Sequence, residues 1–322
     1  MEIINNKKGV FFTFIAVFLV IFIVIAVSTR NPNRYREKSY AISTRIRTMN
    51  NFVDDFENDM QREMFIGGYR SLLSLQKYIR IKKGFIQDLD SIFSEIFENG
   101  TANGTEINIM KQEGHGADIT SWLSRINEES EKLNIEVNLY PRNIDLEMNS
   151  FYTVKIIFDA TINISDKKDL AVWAYNKTFR TIINVTGFED PLYTVHSDDK
   201  VSNLIFPTTF SDFVDDSTND TTNLKTHLNN SYYITSTDAP SFLMRFTGNL
   251  SNSSMGIESM VYLDDFQKQG LSVKNKTLID YLYFNNITTT DYCNVENMQD
   301  WFRIDQNHAG VYEIDILEKD SC

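Results

Sequence analysis

The first apolar block of the chain is its longest stretch without charge. Residues 10–27 read VFFTFIAVFLVIFIVIAV, and no charged residue lies between Lys8 and Arg30. At about 1.5 Å of helical rise per residue the block spans roughly 27 Å, close to the hydrocarbon thickness of a bilayer. We therefore predict a transmembrane helix over residues 10–29, preceded by a short cytoplasmic leader over residues 1–9.

A cleaved secretory signal is the alternative interpretation of this block. The apolar region of such a signal usually covers about 7–15 residues, which is shorter than the block here. Ala26-Val27-Ser28 nevertheless offers small residues at which a signal peptidase cuts. Under either interpretation the rest of the chain is exported.

Two sets of observations bear on the orientation of the helix. Basic residues favour the cytoplasmic side of a span, and more of them follow the helix than precede it: Arg30, Arg34, Arg36, Lys38, Arg45 and Arg47. The short N-terminal flank, the scarcity of cysteine and the many glycosylation sequons favour the opposite orientation. We predict a single-pass protein of the cell membrane whose C-terminal portion is extracytoplasmic.

Residues 30–98 are predicted to form a helical region. Asn31-Pro32-Asn33 predicts an interruption or a kink after the membrane helix, and Gly67-Gly68 and Gly84 predict further breaks. A second helix, apolar at helical spacing from Phe85 to Phe97, should end at Asn99-Gly100. Before it, a narrow apolar seam recurs every three or four positions: Ile42, Ile46, Met49, Val53, Phe56 and Met60.

This seam allows two interpretations. It packs either against the protein's own globular domain or against neighbouring subunits, as the core of a filament does. The exposure of Ile46, Val53 and Met60 in a monomer distinguishes the two.

Residues 99–196 are predicted to form an α+β extracytoplasmic domain. A loop to Gly116 precedes a helix over about 118–133, with Trp122, Leu123, Ile126 and Leu133 facing inward. The apolar period then changes from 3.6 to 2. Alternation of this kind predicts half-buried antiparallel strands, at about 135–139, 153–164, 170–176 and 179–186.

The remaining chain is predicted to form a polar acidic surface loop over 197–231 and a β-rich C-terminal lobe over 232–322. Strands fit about 242–247, 257–263, 279–284 and 311–317. The predicted fold class is therefore α+β: an N-terminal transmembrane helix, a helical stalk with packing helices, and a mostly antiparallel β domain.

The composition excludes one class of partner but does not identify a function. With 31 basic and 44 acidic residues the chain carries a formal net charge of −13. An acidic protein repels nucleic acid at long range, so we predict no nucleic-acid partner. The lipid bilayer is the one partner that the sequence indicates directly.

The chain has two cysteines, Cys293 and Cys322. Neither lies in a zinc-ligand spacing. In an oxidising compartment they predict a disulfide worth roughly 3–4 kcal/mol in the chain-entropy model; two unrelated thiols are the alternative.

Eleven N-x-Ser/Thr sequons are glycosylation candidates if the chain is exported. None precedes residue 99, and Asn163 and Asn184 fall on the polar faces of their predicted strands. Any single sequon can equally be an unmodified surface residue. The asparagines are Asn99, Asn103, Asn163, Asn176, Asn184, Asn219, Asn229, Asn249, Asn252, Asn275 and Asn286.

No motif predicts catalysis. G-x-S-x-G, H-E-x-x-H, the P-loop and G-x-G-x-x-G are absent from the sequence. We predict no enzyme, no cofactor and no metal site.

The nearest approach to a polar site is Asp190-Pro191-Leu192-Tyr193 followed by His196, Asp198 and Asp199, which an Asp-Pro turn explains equally well. Asp305 and His308 are spaced to meet on one helical turn. The acidic run lacks the spacing of a calcium loop and should be solvated: Asp212, Asp215, Asp216 and Asp220.

The N-terminus resembles a prepilin-type, class III signal. Lys7 and Lys8 close a polar leader, Gly9 follows, and the apolar run begins at Val10. In type IV pilins and their archaeal relatives a peptidase cuts after such a glycine, and the apolar run becomes the first part of a long helix that packs the filament. The resemblance covers about 60 residues. It implies processing between Gly9 and Val10, although Phe14 replaces the acidic residue that many bacterial pilins carry.

Two functions follow as expectations. The first is a pilin-like structural subunit or adhesin that self-assembles, or contacts other surface proteins, through the helix over 42–60. The second is a monomeric anchored ligand-binding or sensory domain without filament assembly. An anchored hydrolase would need a cleft that gathers Asp190, His196 or His308.

Overall fold

One long helix dominates the molecule. The computed structural model describes residues 7–111, 116–215, 217–286, 292–295, 297–314, 317 and 319–321. Helix α1 covers Lys7–Lys82, 76 residues, and includes the predicted membrane span. It continues through Asn31-Pro32-Asn33, so the predicted interruption is wrong. A proline removes only one helical hydrogen bond, and the turns on both sides carry the helix past it.

Short helices and strands follow α1. The other helices of the described chain are α2 (Leu89–Asn99), α3 (Ile119–Lys132), α4 (Pro191–His196), α5 (Thr222–Asn229), α6 (Phe242–Thr247), α7 (Leu263–Lys268), α8 (Asp280–Phe284) and α9 (Gln306–Ala309). The strands are β1 (Thr101–Ala102), β2 (Thr105–Glu106), β3 (Ile135–Ser150), β4 (Thr153–Asp166), β5 (Val172–Asn184), β6 (Tyr233–Thr235), β7 (Ile257–Ser259), β8 (Tyr292–Val295), β9 (Ile304–Asp305) and β10 (Lys319–Ser321). The fold class is α+β, as predicted.

The main sheet is an antiparallel meander in the order β3-β4-β5. Its register runs from Ile135 opposite Asp166 on one side of β4 and from Thr153 opposite Asn184 on the other. The strict alternation in β4 buries every second side chain, because successive strand residues face opposite sides. The strands predicted at 170–176 and 179–186 are one continuous strand, β5.

Helix α1 packs on the buried face of this sheet and runs beside β5 in the same direction. Four contacts trace this path in order: Arg45 with Asp166, Glu57 with Tyr175, Gln61 with Arg180, and Gly68 with Ile183. The anchor end of α1 therefore lies at the end of the sheet where β4 finishes and β5 begins.

Gly67 and Gly68 permit close contact between α1 and the rest of the domain. A Cβ on Gly68 would overlap Ile156 Cδ1 and lie 3.0 Å from Ile183 Cδ1, and one on Gly67 would lie 2.8 Å from the Ala117 carbonyl oxygen. Both glycines are buried in the last quarter of α1. The predicted break at Gly67-Gly68 is wrong, because these glycines serve helix packing instead.

Helices α2 and α3 complete the first core. Asp88 and Asp118 cap their N-termini by accepting bonds from the backbone N–H groups of Ser91 and Ser121. Gly100 ends α2 with φ 69°, as Asn99-Gly100 predicted. Leu133, predicted to face inward, is 43% exposed because α3 ends one residue earlier.

The C-terminal lobe has its own core and differs from its prediction. The segments 242–247 and 279–284 form α6 and α8 rather than strands, and the described part of 311–317 forms turns around buried Tyr312 and Ile314. The loop predicted over 197–231 contains α5 and buried side chains such as Leu224 and Leu228. In these short segments apolar periods of 2 and 3.6 look alike.

The close approach at Gly68 can be tested by substitution. We expect Gly68→Val to lower the free energy of unfolding by about 1–3 kcal/mol, because the new side chain overpacks the contact between α1 and the sheet. Thermal or urea unfolding of the detergent-solubilised protein measures this. Gly84→Ala is the control, since nothing lies within 4 Å of a Cβ there. Equal stability of Gly68→Val and the unmodified protein would contradict the packing role.

Candidate functional site

The first third of α1 is uncovered by the rest of the protein. Residues Gly9–Ser28 have a mean hydropathy of 3.3, and none of this segment is buried. The Thr13 hydroxyl donates to the Gly9 carbonyl oxygen at 2.8 Å, which satisfies its polar group within the helix. The segment is long and apolar enough to span a membrane, and its bounds match the predicted 10–29 closely.

The apolar seam of α1 divides into two parts. Met49, Phe56 and Met60 are at most 2% exposed and pack into the first core. Ile42 and Ile46 remain 43% and 38% exposed. Most of the seam therefore packs against the protein's own domain, while its anchor end stays open.

Polar contacts fasten α1 to the anchor end of the domain. Arg45 donates from Nε to Asp166 at 2.5 Å and from Nη2 to the carbonyl oxygens of Leu133 and Asn134 at 2.7 and 3.0 Å. The hydrogen bond from Arg45 lowers the pKa of Asp166. Further along, Trp122 Nε1 donates to Asp59 at 2.9 Å. These bonds fix the direction in which the anchor leaves the domain.

The opposite face of α1 carries an exposed apolar strip of Phe65, Ile66 and Tyr69, which are 51%, 45% and 40% exposed. Beyond the strip lies a groove of about 620 Å³. Its walls are mostly apolar with a charged rim: Leu73, Gln76, Lys77, Arg80, Ile81, Ile109, Gly187, Glu189 and Leu204. Arg80 forms ion pairs with Glu189 and Asp199. These ion pairs position the charged side chains of the rim. A surface of this composition suits contact with protein or an apolar ligand.

A sealed ionic cluster joins the helices of the C-terminal lobe. Arg245 donates to Asp190 at 2.5 Å and to Asp280 at 2.8 Å, and all three side chains are fully buried. Tyr233 donates its hydroxyl to Asp190 at 2.7 Å. Burial raises the pKa of Asp280 to about 6, against the opposing charge of Arg245. The cluster links α4, α6 and α8 and is closed to substrate.

His308 organises a second buried group. Its Nδ1 lies 2.8 Å from Asp305 and its Nε2 lies 3.5 Å from Glu258, and the Tyr281 hydroxyl is 3.2 Å from Nε2. Burial disfavours the imidazolium, but the hydrogen bond to Asp305 and the nearby charges of Glu258 and Asp305 outweigh it and raise the pKa of His308 to about 10. The predicted meeting of Asp305 and His308 is confirmed, but as a buried ion pair.

Asp190, His196 and His308 each contact different partners. Asp190 caps α4 and pairs with Arg245, whereas His308 pairs with Asp305. His196 stacks on Phe284 at the surface, with ring centroids 4.7 Å apart. Within the described ranges no group of three or more acidic, histidine or cysteine side chains is arranged to hold a metal.

The modification candidates are mostly at the surface. Ten of the eleven sequon asparagines are exposed, and Asn163 is half-buried. The solvated acidic run is confirmed at Asp212, Asp215 and Asp220, which are exposed. Cys322, the side chain of Cys293, and Asp216 lie outside the described residues.

Sequence reasoning missed Arg245, Asp280 and Glu258. An arginine within the apolar run Phe242–Thr247 was the one local signal for them, because a buried arginine requires acidic partners. Those partners, Asp190 and Asp280, lie 55 and 35 positions away.

Comparison with known proteins adds no assignment: no family model, no curated protein and no solved structure matches the chain.

Glu63 is a buried acid at the contact between α1 and α3. It is 6% exposed, its Oε1 has no hydrogen-bond partner, and Arg125 Nη2 lies 3.7 Å from its Oε2. Burial raises the pKa of Glu63 to about 7, with Asp59 and Asp118 adding to the shift and Arg125 opposing it. The folded protein thus holds this proton more tightly than the unfolded chain does.

The raised pKa of Glu63 predicts a stability that declines as pH rises from 4.5 towards 7, because the unfolded chain releases the proton first. We expect Glu63→Gln to flatten this decline and to add about 1–2 kcal/mol of stability at pH 8. Urea unfolding between pH 5 and 8 measures both effects. A variant with the same pH dependence as the unmodified protein would contradict the assignment to Glu63; Glu106→Gln, at an exposed position, is the control.

Proposed function

We propose that the protein is a membrane-anchored extracytoplasmic surface protein that acts as a pilin-like subunit. The observation that carries the proposal is the single helix α1, whose first third is apolar and uncovered and whose second half is the spine of a globular domain. This is the arrangement of long helix and globular head that the N-terminal resemblance implies.

The uncovered residues of α1 support contacts between copies. Ile42 and Ile46 are exposed just after the anchor, and Phe65, Ile66 and Tyr69 form a separate exposed apolar strip on the opposite side of the helix. Exposed apolar patches mark sites of protein association. Neighbouring α1 helices packed side by side would cover both sets of residues.

A second candidate function is a monomeric anchored ligand-binding or sensory domain. The groove of about 620 Å³ beside α1 favours it, because its volume lies in the range of small-molecule pockets. Five of its nine lining residues belong to the helix that carries the anchor, so a bound ligand would contact the element that enters the membrane.

Processing after Gly9 provides the first test. Cleavage there removes Lys7 and Lys8, whose charges hold the helix end at the membrane interface. We expect the mature chain to begin at Val10 and Gly9→Val to block cleavage, because a side chain at this position hinders the approach of the peptidase to the backbone. Mass spectrometry of the N-terminus of membrane-extracted protein measures this. A chain beginning at Met1 would indicate a simple anchor, and one beginning near Thr29 a cleaved secretory signal.

The exposed face of α1 provides the second test. We expect Phe65→Asp to abolish filaments on the cell surface, because a buried carboxylate in the contact between helices costs several kcal/mol. Tyr140→Asp changes a residue that is 57% exposed on β3 and should leave filaments intact. The filaments are counted by electron microscopy of surface material. Anchored but unassembled protein in the unmodified strain would contradict the pilin-like role and favour the monomeric alternative.

A further inference from the structure

The two edges of the main sheet are not equally protected. Free strand edges invite pairing with other chains, and proteins block them with prolines, bulges and charges. The β3 edge has all three: Pro141, register shifts at 141/143 and 148/150, and the charged residues Glu136, Arg142, Asp145 and Glu147. The β5 edge has no proline, and all 13 of its residues pair with β4 without a register shift; of the three kinds of protection it has only the charges of Lys177 and Arg180.

The backbone groups at the open edge can be assigned by residue parity. In an antiparallel ladder each residue directs both its N–H and its C=O either towards its partner strand or away from it. Ala171 directs its carbonyl oxygen towards β4, and Arg180 directs its own away, to Gln61 Nε2 at 2.7 Å. The even-numbered residues of β5, 172–184, therefore point their backbone groups outward. Within the part of the chain that the structure describes, none of these groups has a backbone partner.

The even-numbered residues of β5 can pair with the same residues of a second β5 strand. When two β5 strands pair antiparallel about Thr178, all 13 residues overlap. Thr178 then faces its own copy, Asn176 faces Arg180, and Ala174 faces the exposed Ile182. Directly opposed threonines stabilise a sheet, and this register places no like charges opposite each other. A register one step earlier would instead place two Lys177 side chains directly opposite each other.

The direction of α1 decides where the second copy must lie. Because α1 and β5 run side by side in the same direction, an antiparallel copy of β5 carries an α1 that points the opposite way. Two anchors that leave at opposite ends cannot enter the same membrane surface. We infer that β5 pairs with β5 of a second copy anchored in a facing membrane.

This arrangement predicts a defined gap between the membranes. The centre of the pairing lies beside α1 between Glu57 and Gln61. About 31 helical residues separate that point from Ser28, or roughly 45 Å at 1.5 Å per residue. Two upright copies therefore hold the hydrocarbon surfaces of two bilayers about 90 Å apart. The inference rests on the anchor of the proposed function but not on filament assembly.

Vesicle clustering tests the inference with the full-length protein in phosphatidylcholine vesicles. We expect the unmodified protein to cluster vesicles and Ala174→Pro to reduce clustering at least about tenfold, because the proline removes an outward N–H at both ends of the paired strands but none from the β4 ladder. Ala174→Thr retains the N–H and should cluster normally. Light scattering measures clustering, and thermal unfolding must show that both variants fold.

Flotation of the vesicles separates failure of the anchor from failure of the pairing. Protein that does not float with the vesicles would contradict the anchor. Protein that floats but does not cluster them, or an Ala174→Pro variant that clusters normally, would overturn the pairing.

Cross-linking tests the register and the facing arrangement. Thr178→Cys should form a disulfide between differently tagged copies held on separate vesicles, because directly opposed residues lie about 5.5 Å apart at their Cα atoms. Tyr140→Cys, on the protected β3 edge, is the matched control and should not cross-link. Cross-links that form only between copies in the same vesicle would contradict the facing arrangement.

Discussion

The close contact between α1 and the main sheet is the constraint on which the rest of the structure depends. Gly67 and Gly68 remove two side chains where the helix meets Ala117, Ile156 and Ile183. The helix then lies close enough to bury its apolar residues from Met49 to Met64 in the first core. Glycine in a helix costs up to about 1 kcal/mol relative to alanine, and the apolar burial that follows offsets this cost.

That contact also fixes the geometry of the anchor. Arg45 ties α1 to Asp166 and to the backbone before β3, and the helix continues from there to the apolar span without a break in its backbone. A single continuous helix thus sets the direction of the sheet relative to the membrane. Helix α1 therefore also sets the orientation, relative to the membrane, of the surfaces beside it. These are the apolar strip, the groove and the β5 edge.

The sequence predicted the features that depend on local pattern. The alternation in β4, the cap at Asn99-Gly100 and the span near residues 10–29 all have clear periods or signals within a short window. Features that depend on distant partners were predicted wrongly or not at all. Gly67-Gly68 looks like a break unless the neighbouring Ile156 is known, and Arg245 looks like one charge in an apolar strand unless Asp190 and Asp280 are known. The secondary structure of 242–247 and 279–284 was also ambiguous, because six residues are too few to distinguish an apolar period of 2 from one of 3.6.

The buried ions of the C-terminal lobe show why its sequence resembles strands although it folds mostly as short helices. None of α6, α8 and α9 exceeds six residues, and helices of this length are not stable alone. Arg245 and His308 each bind acids from other segments, so the lobe is specified by links between segments rather than by periodicity within them. Desolvating such charges is costly, and replacing an ion pair with apolar residues often preserves stability. We infer that the pairs contribute a unique arrangement, because Arg245 Nη1 reaches both Asp190 and Asp280 only when α4, α6 and α8 meet at one point.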